Sequence, residues 1–368
     1  MVKFIKFLVV KVLTLCFSLP PKEAAFLLPA YTGLGNFIMM TPLIKKMRAL
    51  YPSASIYILC GNQFGTDSVF QSGDGIITEV FRLDEKSSFL KQVSFFLKLR
   101  SLRISTAFVP FDASPGFFRW GIILSGIPQR IGHTLDILQT EMGWTKDALT
   151  DPVPLRLNTH ESDLHFDLLE RLEPNFTRNY DTYISCAKDE ALHKFGLANT
   201  DYIVIQLSAA NAQRTPKTWE LDKFAKLISL LLEQGLTIVL PGDFNESALI
   251  TEFAQPFEKN VINLAGKTSI LEISCIIKNA RLLICHDSGL MHIGNAHHTP
   301  LLALYGPTDW VFTAPKASTS HIFRHDLPCQ PCMKNFAKTE PEALRDCSIN
   351  IQCMKDISVE EVHAACME

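Results

Sequence analysis

The chain has 368 residues, with 35 lysines and arginines against 38 aspartates and glutamates and a formal charge of −3. That length suits two domains with a core each, and the near-neutral balance excludes the basic footprint of a nucleic-acid binder. Ten cysteines in a chain this long do not make a disulfide scaffold, and no uncharged apolar run reaches membrane-spanning length. Cys60, Cys275 and Cys285 sit inside apolar runs, as small core hydrophobes of a reducing compartment do, so the expected location is the cytosol.

Residues 1–20 stand apart. Lys3, Lys6, Lys11, Thr14 and Ser18 fall on one side of a helical wheel whose other side is Phe, Ile, Leu and Val. This amphipathic pattern suits a helix lying on the anionic inner leaflet of a membrane. A helix packed on its own domain is the competing reading. A cleaved signal fits worse, because Lys6 and Lys11 interrupt the apolar stretch and no small-x-small site follows.

From Ala25 the chain alternates short apolar runs with helical spacing. The pattern predicts strands over Ala25 to Ala30, Ser55 to Gly61, Ile77 to Leu83 and Ile104 to Phe111. Helices are expected from Asn36 through Leu50, over Ser88 to Leu99, Phe117 to Leu124 and His160 to Leu172. Thr134 to Arg156, with Pro152 and Pro154, reads as a surface excursion, and the domain join is placed between Glu173 and Thr200. The second half predicts strands at Tyr202 to Leu207, Thr237 to Leu240, Val261 to Leu264, Leu282 to Cys285 and Leu301 to Tyr305. Between them come helices near Leu221 to Glu233, Glu246 to Phe257, Ile270 to Lys278 and Ser288 to His297. Alternation of this kind gives an α/β fold with parallel sheets, in which ligands bind beyond the carboxyl ends of the strands. Asp287-Ser288-Gly289 and Gly306-Pro307-Thr308-Asp309 both fall at that edge, and a helix starting at Ser288 and Gly289 offers free backbone N–H groups to an anion such as a diphosphate.

Several motifs fail on spacing. The glycines Gly33 and Gly35 do not make a dinucleotide fingerprint, since the third would fall at Ile38, and Gly266-Lys267-Thr268 is not a P-loop, since its leading glycine would fall at Val261. Lys267 reads as a solvated loop residue, and Thr268 or Ser269 as a helix cap. His286, His292, His297 and His298 crowd together without zinc-site spacing. Cys329, Cys332, Cys347 and Cys353 resemble a four-thiolate set in outline, but the second pair is too widely spaced, and a loop-ordering role is preferred to bound metal.

What survives is an ordered set: Gly33-Leu34-Gly35-Asn36 with Thr41-Pro42; Leu207 through Lys217-Thr218-Trp219; Leu240-Pro241-Gly242 with Glu246; Leu264 to Thr268; Asp287-Ser288-Gly289 through His292; and Tyr305-Gly306-Pro307-Thr308. In this order the chain resembles the lipopolysaccharide heptosyltransferase family, glycosyltransferase family 9. The resemblance implies a GT-B-like architecture, two Rossmann-like domains with a cleft between them. The assignment is then an amphipathic helix at 1–20, an acceptor-side domain at 21–180, a nucleotide-sugar-binding domain at 181–355 and a terminal helix at 356–368. It implies an inverting transfer of a sugar, heptose from ADP-heptose for example, to a lipid-linked glycan of the lipopolysaccharide-core type presented at the inner leaflet. It implies no cofactor and no metal, because Lys217 and a helix start can hold the phosphates. Lys217 matches the lysine beside the donor's phosphate and sugar, Glu246 the acid on the ribose, and Asp287, Ser288, Gly289 and His292 the segment around the diphosphate. Ser208 and Arg214 are further donor-side candidates.

One position departs from the pattern. The family carries an aspartate, taken as general base, where this chain has Asn36, and a neutral amide accepts no proton. Asp112, at the end of the Ile104 to Phe111 strand, is the candidate substitute; capping the turn before Ser114-Pro115 is its plainer reading. A binding relative without activity, marked by Asn36, and a transferase for another surface glycan are the alternatives.

Overall fold

The structure is a computed structural model and describes residues 23–62, 65–71, 73–134, 148–208, 216–257, 260–333 and 347–368. The leader at 1–20, Arg214, and residues 135–147 of the expected excursion lie outside the described residues. After Tyr180 the chain divides into two compact units, each with its own six-stranded parallel sheet.

The first unit has strands β1 (Ala25–Ala30), β2 (Ser55–Cys60), β3 (Glu79–Arg82), β4 (Thr106–Val109), β5 (Gln129–Thr134) and β6 (Asp151–Pro154), in the spatial order β3-β2-β1-β4-β5-β6. All six residues of β1 are buried, as its apolar sequence AFLLPA requires of a strand paired on both sides and covered on both faces. Two of these strands, β5 and β6, were not expected. The second corrects the reading of Thr134 to Arg156 as pure excursion: Asp151–Pro154 pairs with β5 at the sheet margin, where prolines are tolerated because no further strand needs their missing N–H.

Helices α1 (Leu34–Leu50), α2 (Phe89–Leu99), α3 (Gly116–Leu124) and α4 (Glu161–Glu170) complete the unit. Pro42 lies inside α1 and cannot donate to the carbonyl of Ile38; the Thr41 hydroxyl donates to that carbonyl instead, at 2.6 Å. The Thr41-Pro42 pair is therefore a compensated helix interior, not a helix stop. Helix α4 is held against α1 by Ser162 Oγ, which donates to Met39 O at 2.9 Å.

In the second unit the strands are β7 (Tyr202–Ile205), β8 (Thr237–Leu240), β9 (Val261–Asn263), β10 (Leu282–His286), β11 (Leu301–Leu304) and β12 (Ser320–Phe323), ordered β12-β11-β10-β7-β8-β9. Both sheets thus have the doubly wound order, with the reversal between β1 and β4 in one and between β7 and β10 in the other. The longer helices among the described residues are α5 (Leu221–Glu233), α6 (Ser247–Ala254), α7 (Ile270–Lys278), α8 (Gly289–Ala296) and α9 (Val359–Cys366). Helix α5 shows why its sequence is helical: Phe224, Leu227, Ile228 and Leu231, spaced at three and four residues, are all fully buried on the sheet. Ser269 caps α7 through a reciprocal capping box with Glu272, as the sequence suggested for that serine. No helix among the described residues is long and apolar enough to cross a membrane.

The tightest approach in the first core is between α2 and α3. A Cβ on Gly121 would lie 2.2 Å from the ring of the fully buried Phe96. Gly121→Ala is expected to lower stability by roughly 1–3 kcal/mol through overpacking, measured by chemical denaturation. An unchanged midpoint would show that the Phe96 ring yields freely.

Candidate functional site

The donor-side residues gather at the carboxyl ends of β7, β8 and β10. Gln206, the residue after β7, is 8% exposed, and its Oε1 accepts from Ser288 Oγ at 2.7 Å and from the His286 N–H at 3.4 Å. One buried amide thus ties the end of β7 to the turn after β10. Ser208, two residues on, donates through its hydroxyl to Glu246 Oε1, and the other carboxylate oxygen of Glu246 accepts from Asp243 N at 2.8 Å. Glu246 is the cap residue of α6 rather than an exposed first-turn acid, and it is 8% exposed. A side chain on Gly242 would press on this carboxylate, with a Cβ 3.2 Å from Oε2.

Ser288 starts α8 with extended backbone and makes no side-chain capping bond, because its hydroxyl is committed to Gln206. The first-turn N–H groups of α8, beginning at Gly289, are left without that partner, and the positive end of the helix dipole stands beside them. Two buried histidines flank the turn. His286 Nε2 accepts from the Trp219 N–H at 3.0 Å, which leaves the ring proton on Nδ1. Burial, reinforced by the nearby charge of Lys217, pulls His286 down to about 3, and burial against the opposing charge of Asp287 leaves His292 at about 4. Both rings are neutral at physiological pH. Asp287 faces the buried Tyr305 phenol, whose ionisation is pushed up by burial first and by that carboxylate second.

Among the described residues, Thr308 Oγ1 and Asp309 Oδ2 on the loop after β11 are buried without a partner, as are Nδ1 of His286 and of His292. Beside the Ser208 and Glu246 pair opens a cavity of about 390 Å³, walled by Leu207, Trp219, Leu221, Leu249, Ile351 and Met354. Trp219 is 1% exposed and its indole N–H donates to Ile357 O at 3.0 Å, so its main role is packing. His297 and His298 belong to other contacts, with Ser274 at 2.7 Å and Asp181 at 3.0 Å, and do not join the site. The four late cysteines lie near one another, Cys353 being raised to about 11 by burial and then by Cys332, Cys347 and Cys329.

The acceptor-side candidates lie in the first unit, at the reversal between β1 and β4. Asp112, its carboxylate buried, meets His165 Nε2 at 3.5 Å through Oδ1, while Oδ2 and His165 Nδ1 have no partner among the described residues. Asp112 thus has a long-range partner in α4 besides the hydrogen bond from its own backbone in the turn. Burial pushes the Asp112 carboxyl up, but the hydrogen bond and charge of His165 outweigh it and hold the group below the usual carboxylate range. Asn36 is half-buried, and its amide nitrogen donates to both oxygens of Glu161, at 2.9 and 3.1 Å. Asp112, Glu161 and His165 offer ligand atoms within 4.8 Å of one another, the set among the described residues compact enough to hold a metal ion. The amide hydrogens of Asn36 turned onto Glu161 suit a bare carboxylate better than a cation-bound one.

Gln206, Glu161 and His165 were not singled out from sequence. Gln206 carried a signal, a lone amide in the apolar run Tyr202 to Leu207. Glu161 and His165 carried none, because they sit in an ordinary amphipathic helix far along the chain.

A family model, glycosyltransferase family 9 (heptosyltransferase), matches residues 168–342. Over that stretch, which spans most of the second unit, the chain is similar to glycosyltransferase family 9. It is 28% identical over 295 residues to lipopolysaccharide heptosyltransferase 3 of Escherichia coli, covering 76% of this chain and 82% of that protein. Its fold is shared with a family 9 glycosyl transferase from Veillonella parvula, at a TM-score of 0.73 and 18% identity over 95% of this chain and 98% of that one. The same holds for the E. coli ADP-heptose lps heptosyltransferase II, at 0.70 and 19% over 94% and 99%. With these relatives and two doubly wound parallel sheets, the protein is a glycosyltransferase built from two Rossmann-like domains.

The buried histidines give this site a pH signature. Folded His292 has a depressed pKa, so between about 4 and the ordinary histidine value near 6.5 the unfolded chain holds the proton and the folded chain does not. Stability must therefore fall as pH drops through that window. His292→Gln is expected to make the slope of unfolding free energy against pH shallower by about one proton there, read from denaturation at several pH values; an unaltered slope would mean His292 is protonated in the folded protein.

Proposed function

We propose that the protein transfers heptose from ADP-heptose to a sugar of a lipopolysaccharide-core acceptor, with inversion at the anomeric carbon. The observation that carries this is the junction of β7 and β10, where the uncapped start of α8, Lys217 and the Ser208 and Glu246 pair share one sheet edge with a nucleoside-sized cavity. The lipopolysaccharide heptosyltransferase and the ADP-heptose heptosyltransferase to which the chain is similar suggest the acceptor and the donor.

In this reading the first-turn amides of α8 and the Lys217 ammonium take the diphosphate, Glu246 takes the ribose hydroxyls, and the cavity at Leu207, Trp219 and Leu249 takes the base. The acceptor hydroxyl oxygen forms the new bond to the anomeric carbon. The bond from that carbon to the phosphate oxygen breaks with its electron pair, leaving ADP, and the hydroxyl proton passes to Asp112. Asp112 is ionised at neutral pH because His165 holds it so. Negative charge grows on the departing phosphate during the step, and a preorganised cation and helix start stabilise it more than they stabilise the bound donor. Arg214 is a second cation for the phosphates. His292, neutral and buried, lines the diphosphate turn without adding charge. The reaction in this form needs no metal or cofactor. The lysine-bearing apolar leader at 1–20 supports a place on the inner face of the cytoplasmic membrane, where a lipid-linked acceptor is presented.

Lys217→Ala is expected to lower kcat/KM for ADP-heptose roughly 100- to 1,000-fold, and Asp112→Asn to lower kcat by about 100-fold or more with the donor's KM unchanged. Both are measured as ADP release in the presence of acceptor. Full activity in Asp112→Asn would remove that residue from the proton path, and full activity in Lys217→Ala would remove the cation from the leaving-group site.

A further inference from the structure

Just after β1, in the first turn of α1, the structure shows an amide held by an acid. Asn36 Nδ2 lies 2.9 Å from Oε2 and 3.1 Å from Oε1 of Glu161, which is fully buried. Glu161 opens α4, where the helix dipole favours its ionised form, and its neighbour Ser162 pins that helix end to Met39 of α1. The carboxylate is therefore fixed beneath the loop after β1. The Asn36 carbonyl oxygen is turned the other way, toward the glycine loop, where a Cβ on Gly33 would meet Oδ1 at 3.2 Å. An aspartate at 36 in the same rotamer would place two carboxylates about 3 Å apart, and such a pair cannot be doubly ionised at low cost.

We propose that Asn36 and Glu161 act as a pair, in which Glu161 is the positioning residue that fixes the Asn36 amide and so leaves its carbonyl oxygen, on the glycine-loop side, as a hydrogen-bond acceptor for the incoming hydroxyl. Asn36 is then a fitted part of an active site and not the remnant of a lost base. The inference rests on the proposed transfer reaction, with Asp112 as the proton's destination. The charged and titratable groups beside the pair are Asp112 on the loop after β4 and His165 on α4, with His133 of β5 acting on Asp112 from behind.

The test is a double-mutant cycle of Asn36→Asp, Glu161→Gln and the two together, assayed for transfer and for donor binding. Glu161→Gln is expected to lower kcat about 10- to 100-fold with donor KM unchanged, because the carboxamide is free to turn. Asn36→Asp alone is expected to be slower than the natural protein at pH 7.5. The double variant, which restores one acid facing one amide, is expected to recover to within about tenfold of the natural rate, a non-additivity that separate structural damage does not produce. Asn36→Asp faster than the natural protein, with the Glu161→Gln loss the same in both backgrounds, would overturn the proposal.

Melting temperature gives a readout that needs no activity. In Asn36→Asp the crowded carboxyl has a raised folded pKa, so its stability relative to the natural protein must fall as pH rises from 5 to 8, and the double variant must not show this. If the natural protein transfers nothing, the proposed reaction fails, while the melting series still decides the pair. If Glu161→Gln does not fold, the double variant must still exceed Asn36→Asp in stability at pH 8, and equality there would sink the pairing.

Discussion

In a parallel sheet whose strand order reverses between two neighbours, the connections out of those strands run in opposite directions, and the carboxyl ends between them are left uncovered. The β7 and β10 junction is such a place, and Gln206 sets its geometry by holding the Ser288 hydroxyl and the His286 amide at once. The serine that would cap α8 is drawn aside by that amide, so the helix start stays open toward the crevice. In the proposed reaction this open helix start takes the diphosphate, an arrangement that the topology and one hydrogen bond supply without a cluster of cations.

The two units apply the same topology to different electrostatics. The candidate donor side combines backbone amides, Lys217 and two histidines kept neutral by burial with the carboxylates of Glu246 and Asp287, so Lys217 and the helix start are the groups there that suit an anion. On the acceptor side, at the β1 and β4 reversal, the buried groups are two carboxylates with a histidine and an amide among them. Cation and dipole suit a leaving diphosphate, and carboxylates suit the uptake of a hydroxyl proton.

The repeated apolar runs and the polar turns after them made most of both sheets legible, because fully covered parallel strands have sequences such as AFLLPA and LLICH. The missed strands lack that signature for physical reasons. Asp151–Pro154 and Ser320–Phe323 are margin strands paired on one side, and Gln129–Thr134 buries Arg130 and His133 through bonds to Ile127, Ala148 and Leu164 carbonyls that no local pattern announces. Ser208, Glu246, Asp287 and Ser288 were readable because they belong to the polar loops that follow the strands and to the motifs of the resemblance. Glu161 was not, since it meets Asn36 across 125 residues, and a contact of that range leaves no trace in periodicity. The departure at Asn36 was visible in the sequence; the residue that gives it meaning was visible only in the fold.

The most direct measurement of the central claim is amide hydrogen exchange on the full chain with and without ADP-heptose. Binding as described slows exchange at Gly289, Leu290 and Met291, whose N–H groups open α8, and leaves the amides of α2 unchanged. Saturable binding with no added protection at those three amides would contradict the account.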